Sequence, residues 1–302
     1  TVNLSTLDGT TGFRLDGEAA NDFSSKSVSS AGDINGDGYD DLIIGARGAD
    51  IYGFDSGSSY VVFGTGNAFA ATVDLSTLDG TTGFGLDGEV AGDFSGNSVS
   101  SAGDVNGDGY DDLIIGAYGA NINGNQSGSS YVVFGTGSSL ASTVNLSTLD
   151  GTNGFRLDGE TAYDYSGYSV SSAGDVNGDG YDDLIIGAYG AEINGTDSGS
   201  SYVVFGTGNA FAATVDLSDL DGTNGFRLDG EAADDRSGHS VSSAGDVNGD
   251  GYDDLIIGAY LADINGDYSG ASYVVYGGAK WGASAQVATV GDDTVTGTAG
   301  AD

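Results

Sequence analysis

Four aspartate-rich nonapeptides carry the side chains best suited to chemistry: DINGDGYDD from Asp33, and DVNGDGYDD from Asp104, Asp175 and Asp246. In the second copy Asp104, Asn106 and Asp108 stand at positions 1, 3 and 5, Gly109 at 6, Tyr110 at 7 and Asp112 at 9. This spacing offers side-chain oxygens from 1, 3, 5 and 9 and a backbone carbonyl from 7, while glycine at 6 permits a sharp reversal. All-oxygen donors select a hard cation, and a flexible loop with many ligands favours Ca²⁺ over Mg²⁺. Carboxylates held about 4 Å apart repel by about 4 kcal/mol at an effective dielectric of 20, so converging aspartates need a cation. The equivalent ligands are Asp33, Asn35, Asp37, Tyr39 and Asp41; Asp175, Asn177, Asp179, Tyr181 and Asp183; and Asp246, Asn248, Asp250, Tyr252 and Asp254. The neighbouring Asp40, Asp111, Asp182 and Asp253 are expected to point into solvent. A plain Asp-Gly turn uses the same residue types, but four copies with every ligand position filled argue against it.

An EF-hand would carry a bidentate glutamate at position 12 and lead into a helix. Position 12 here is Ile44, Ile115, Ile186 or Ile257, inside an apolar run. Each loop is therefore expected to join two strands.

The elements that hold these loops recur with a fixed period. TV[ND]LS begins at Thr1, Thr72, Thr143 and Thr214, which divides the chain into repeats 1–71, 72–142, 143–213 and 214–284, followed by a tail, 285–302. Each repeat contains the short β-rich runs GFRLDG, SVSSAG, DLIIGA and SSYVVFG or close variants, with no helical period. LIIGA and YVVF are continuously apolar, as strands covered on both faces are, whereas SVSSAG has the small residues that suit a crowded centre. These features predict an all-β fold: a β-propeller of four-stranded antiparallel blades, one per 71-residue repeat. A solenoid is the competing arrangement, but its coils are usually shorter.

Composition narrows the function. Against 45 acidic residues stand seven basic ones, a net charge of −38 that repels nucleic acid and anionic membranes. The absence of cysteine excludes disulfides and thiol catalysis, and no apolar run is long enough to span a bilayer. A first residue that is not methionine suggests a processed product or part of a longer chain. The single histidine, His239, is expected at the surface, and Trp281 is expected to pack at the end of the array.

From Ser95 to Ala117, SGNSVSSAGDVNGDGYDDLIIGA, followed by SGSSYVVFG, the chain resembles the FG-GAP repeats of the integrin α-subunit propeller and related bacterial surface proteins. The resemblance covers nearly all of the four repeats. It implies a β-propeller with one Ca²⁺ per blade, in the hairpin between its first two strands, and extracellular recognition or adhesion. There are departures: Phe-Gly becomes Phe94-Ser95-Gly96 in the second copy and Arg236-Ser237-Gly238 in the fourth. The family usually closes with seven blades. Four could close on themselves, with the N-terminal GFRLDG completing the last sheet, or form an arc of a larger ring.

In such blades the segments after the second and fourth strands emerge opposite the calcium loops. Those segments differ between copies, as RGADIYGFD and YLADINGDY do. A partner at the cell surface, protein or glycan, is expected there, with self-association into a larger assembly as a further possibility. In the last copy Asp263 to Tyr268 could add a cation site. No asymmetric constellation suggests an enzyme. The expected function is a calcium-binding, secreted or cell-surface structural and adhesion module; the alternative is a carbohydrate-binding propeller whose Tyr118, Tyr163, Tyr168, Tyr189 and Tyr260 stack on sugars. The tail GDDTVTGTAGAD resembles the start of nonapeptide calcium repeats.

Overall fold

The computed structural model describes residues 3–138 and 141–281. The tail assigned from residue 285 lies outside them. The described chain is all-β, with only single 3₁₀ turns besides strands.

Each blade is an antiparallel meander. The first contains Ser27–Gly32, Asp41–Ala46, Ser58–Val62 and Gly83–Asp87. The second contains Ser98–Gly103, Asp112–Ala117, Ser129–Val133 and Gly154–Asp158. The third contains Ser169–Gly174, Asp183–Ala188, Ser200–Val204 and Gly225–Asp229. The fourth has Ser237–Gly245, Asp254–Ala259 and Ala271–Val275. The outermost strand of a complete blade thus comes from the next repeat, so blades straddle the repeat boundaries.

The TV[ND]LS segments, to which the sequence reading assigned no strand, add a short parallel strand outside. Thr143–Asn145 pairs with Gly83–Asp87, and Thr214–Asp216 with Gly154–Asp158. A 3₁₀ turn follows, capped by the side chain of Asn145 or Asp216.

The blades stack through their faces. Ile34, Ile43, Val61 and Phe84 of the first pack against Val99, Leu113, Ile115 and Tyr131 of the second. Equivalent cores join the second blade to the third and the third to the fourth. This is why DLIIGA and SSYVV are buried along their whole length in the second and third blades. A strand pressed between two neighbours has no wet face on which to alternate.

Among the described residues the sheets do not close into a ring. Arg14–Asp16, the N-terminal GFRLDG strand, pairs with Thr72–Asp74 and does not complete the last blade, which has three strands among the described residues. Val28 on the first blade is 62% exposed where Val99 and Val170 are 4% and 5%. Of the two arrangements the sequence left open, closure through this strand is not the one observed. Trp281 packs at the end of the array as expected, stacking on Phe226 at 4.2 Å as Phe69 does on Phe13 and Phe211 on Phe155.

Candidate calcium loops and the opposite face

All four nonapeptides lie between the first and second strands of a blade, at one end of the meander. The strand before each ends in a glycine with positive φ, Gly103 at 73° in the second blade, where the register also shifts. L side chains avoid that conformation, and the kink turns the chain out into the loop.

Within the second loop Asp104 Oδ1 and Asn106 Oδ1 both accept the Asp108 N–H, at 3.0 and 2.8 Å. Asp104 Oδ2 accepts the Gly109 N–H at 2.9 Å, and Asp108 Oδ1 that of Tyr110 at 3.1 Å. The third and fourth loops repeat this set, with Asp175, Asn177 and Asp179, and with Asp246, Asn248 and Asp250. In the first, Asp33, Asn35 and Asp37 do the same. Oxygens from positions 1 and 3 therefore converge on one amide. Bonds from Gly251, Gly249 and Asp250 hold the Asp246 carboxyl below the usual carboxylate range.

Position 9 behaves differently. Asp41, Asp112, Asp183 and Asp254 are fully buried. Asp112 Oδ2 accepts the Val105 N–H at 3.0 Å and its Oδ1 the Gly135 N–H at 2.9 Å, so it ties the loop to the chain beyond the third strand. Burial pushes the Asp112 and Asp183 carboxyls up to about 8 and that of Asp41 to about 6; the bound amides pull the other way. Neighbouring aspartates push further up, because the charges repel.

Among the described residues no three His, Cys, Asp or Glu side chains gather closely enough to hold a metal. Each loop instead offers carboxylates at 1 and 5, an amide oxygen at 3, a carbonyl at 7 and the buried carboxylate at 9. That set fits a hard cation: Asp104 Oδ2 and Asn106 Oδ1 each accept one amide and keep a second lone pair, whereas Asp104 Oδ1 accepts the amides of both Gly107 and Asp108. The ion pairs of Arg14, Arg156, Arg227 and Arg236 go to acids outside the loops.

Three of the four aspartates expected in solvent are engaged. Asp111 Oδ2 accepts the Asp33 N–H at 2.8 Å, Asp182 that of Asp104 at 2.9 Å and Asp253 that of Asp175 at 3.0 Å. Position 8 of one loop thus clasps position 1 of the loop before it. Burial raises the Asp182 pKa. The Tyr110, Tyr181 and Tyr252 rings lie on Gly36, Gly107 and Gly178 of the preceding loop. Asp40 alone of the four is exposed, as expected. An aspartate repeated at position 8 although no ligand is needed there was the available signal.

The opposite face carries an aromatic ladder that crosses blades. Tyr118 stacks on Phe94 at 5.2 Å and Tyr189 on Tyr165 at 5.1 Å, while Tyr168 meets Tyr189 edge-on at 4.7 Å. His239, half-buried, lies 4.8 Å from Tyr168 and 4.4 Å from Tyr260, so it packs among rings at the surface. Burial, then Arg236 and Lys26, hold its imidazole below the ordinary value. The Arg236 guanidinium lies over Tyr189 and donates to the Tyr260 hydroxyl at 3.3 Å. Asp263 accepts the Tyr268 N–H at 2.6 Å, and Asn121 does the same for Gln126 at 2.8 Å. Since asparagine serves equally well, this segment is built as a turn.

Known proteins share this pattern. The FG-GAP repeat model matches residues 27–62, 95–133, 166–204 and 237–275, together half of the chain. Integrin alpha pat-2 of Caenorhabditis elegans is 30% identical over 76% of this chain, and integrin alpha-4 of Xenopus laevis 29% over 66%. The chain spans only 17% of the length of either relative. A phosphatidylinositol-glycan-specific phospholipase D of Dictyostelium discoideum is 31% identical over 42% of the chain. Each segment matched by the FG-GAP model holds the hairpin that carries a candidate calcium loop and the strand after it, and with half of the chain matched in this way the chain belongs to the FG-GAP repeat family.

Proposed function

We propose that this chain is a calcium-stabilised, extracellular adhesion module without catalytic activity of its own. Each of the four loops takes one Ca²⁺ through Asp, Asn, Asp, the Tyr carbonyl and the buried Asp. The observation that carries the reading is the buried carboxylate at position 9, repeated four times with no cationic side chain among the described ion pairs. Burial disfavours the charged form of this carboxyl even with its two amide donors, and a bound cation would favour that form. The resemblance to integrin α chains supports a protein partner on the face where the copies differ.

Calcium titration calorimetry tests the site. The intact chain should take up one equivalent per loop, and Asp104→Ala combined with Asp108→Ala should lose one equivalent while the others remain. Uptake that ignores the double substitution would remove the calcium reading.

The sugar-binding alternative draws support from Tyr163 and Tyr260, 53% and 45% exposed. Tyr118 and Tyr189 already stack on neighbouring rings. Saturable binding on a glycan array, abolished by Tyr163→Ala with Tyr260→Ala, would favour it.

A further inference from the structure

At each of the three junctions between described blades, the loop of one blade is held by the last three residues of the loop that follows it. Asp111 Oδ2 accepts the Asp33 N–H at 2.8 Å, and the Asp111 N–H donates to the Asp33 carbonyl at 3.4 Å. Asp182 makes the same pair of bonds with Asp104, at 2.9 and 3.3 Å, and Asp253 with Asp175, at 3.0 and 3.2 Å. Position 8 therefore grips the residue at position 1 of the preceding loop by both its N–H and its carbonyl. Position 7 adds a ring: Tyr110, Tyr181 and Tyr252 lie on Gly36, Gly107 and Gly178, position 4 of the preceding loop. Position 9 acts through its neighbours. Asp112 accepts the Gly135 N–H, and the next amide, that of Thr136, donates to the Ile34 carbonyl at 2.8 Å. Asp183 with Gly206 and Thr207, and Asp254 with Gly277 and Gly278, repeat this onto Val105 and Val176.

These contacts run from the ligands of one loop to those of another. Positions 7 and 9 offer a carbonyl and a carboxylate to their own loop, and position 1 offers a carboxylate to the loop before it. Position 8 lies between two such ligands in the chain, so whatever fixes 7 and 9 also fixes the backbone and side-chain direction of 8. That aspartate recurs in all four loops although no cation needs it as a ligand, and the clasp gives it a task.

We propose, resting on the calcium reading above, that Asp111, Asp182 and Asp253 couple neighbouring loops, so that a cation in one loop raises the affinity of the loop before it. A loop that takes up a cation gives up backbone freedom, and a filled neighbour has already removed part of that freedom through the clasp. Linkage makes the gain mutual: each loop of a coupled pair favours the other by the same factor. Repulsion between cations acts the other way, but at ~0.15 M salt it is screened beyond ~8 Å. Calcium therefore fills the stack cooperatively.

A calcium titration followed by NMR reads the loops one at a time. The Gly109 N–H, held by Asp104 Oδ2, reports the second loop, and the Gly180 N–H, held by Asp175 Oδ2, the third. Asp175→Ala combined with Asp179→Ala empties the third loop and leaves Tyr181, Asp182 and Asp183 in place. The calcium midpoint at Gly109 should then rise about tenfold, a usual size for coupling between two sites. With Asp182→Ala already present, emptying the third loop should leave the Gly109 midpoint where it was. With Asp182→Asn, which loses the same charge but keeps an acceptor oxygen, the rise should return, and this comparison separates the hydrogen bond from the charge. A Gly109 midpoint indifferent to the third loop, or a rise as large with Asp182→Ala as with Asp182→Asn, would overturn the coupling and leave the calcium sites standing. No response to calcium at any loop would overturn the calcium reading and the coupling together.

Discussion

At the level of single residues, each loop combines local turn chemistry with one long-range contact. Asn106 and Asp108 organise backbone amides within the loop, as these residue types do in many turns. Gly107 has φ of 74° and lies under the Tyr181 ring of the next blade, while Gly249 has φ of 78° and open space around it. An L side chain in the left-handed region costs about 1–2 kcal/mol. Gly249→Ala should lose about that much in denaturant unfolding. Gly107→Ala should lose clearly more, because Tyr181 must also move; equal losses would show that the ring contact contributes nothing.

Strands sort by how many neighbours they have. Ser200–Val204 pairs on both edges, with Asp183–Ala188 and Gly225–Asp229, whereas among the described residues Ala271–Val275 pairs on one edge only. Free strand edges leave amides open to water. Hydrogen exchange at a concentration where the chain is monomeric should therefore be faster in Ala271–Val275 than in Ser200–Val204. Packing should follow the same order. Ile185→Ala removes a fully buried side chain from the third junction and should cost about 2–5 kcal/mol. Ile256→Ala, at the 37% exposed equivalent, should cost much less. Similar losses at both would mean that the last face is covered in solution.

For the whole molecule, loop, blade and stack are coupled, because the loop opens each blade and clasps the loop of the blade before it. A cation that holds the loops would stabilise the junctions as well. At tenfold excess over Kd each site contributes about 1.4 kcal/mol, and four such sites about 6 kcal/mol. Removing calcium with EDTA should lower the Tm by about 10 °C or more, reversibly on adding calcium back. An unchanged melt would refute the stabilising role.

Much of this was legible in the sequence, for a physical reason. The ligand pattern, the strand runs and the period are local, and four copies repeat each of them, so DVNGDGYDD, LIIGA and YVVF announce a loop and doubly covered strands by their own composition. Long-range geometry decided the rest. The 78-residue clasp from Asp33 to Asp111 is one repeat plus seven positions, and only the stacking angle of the blades brings those groups together. The ladder around His239 likewise joins rings from two repeats, which no local pattern reveals. Ring closure depends on the rotation between blades summed over the whole stack. Equal repeats fix the chemistry of each junction, but the tertiary structure decided that Val28 and Val274 face outward instead of meeting.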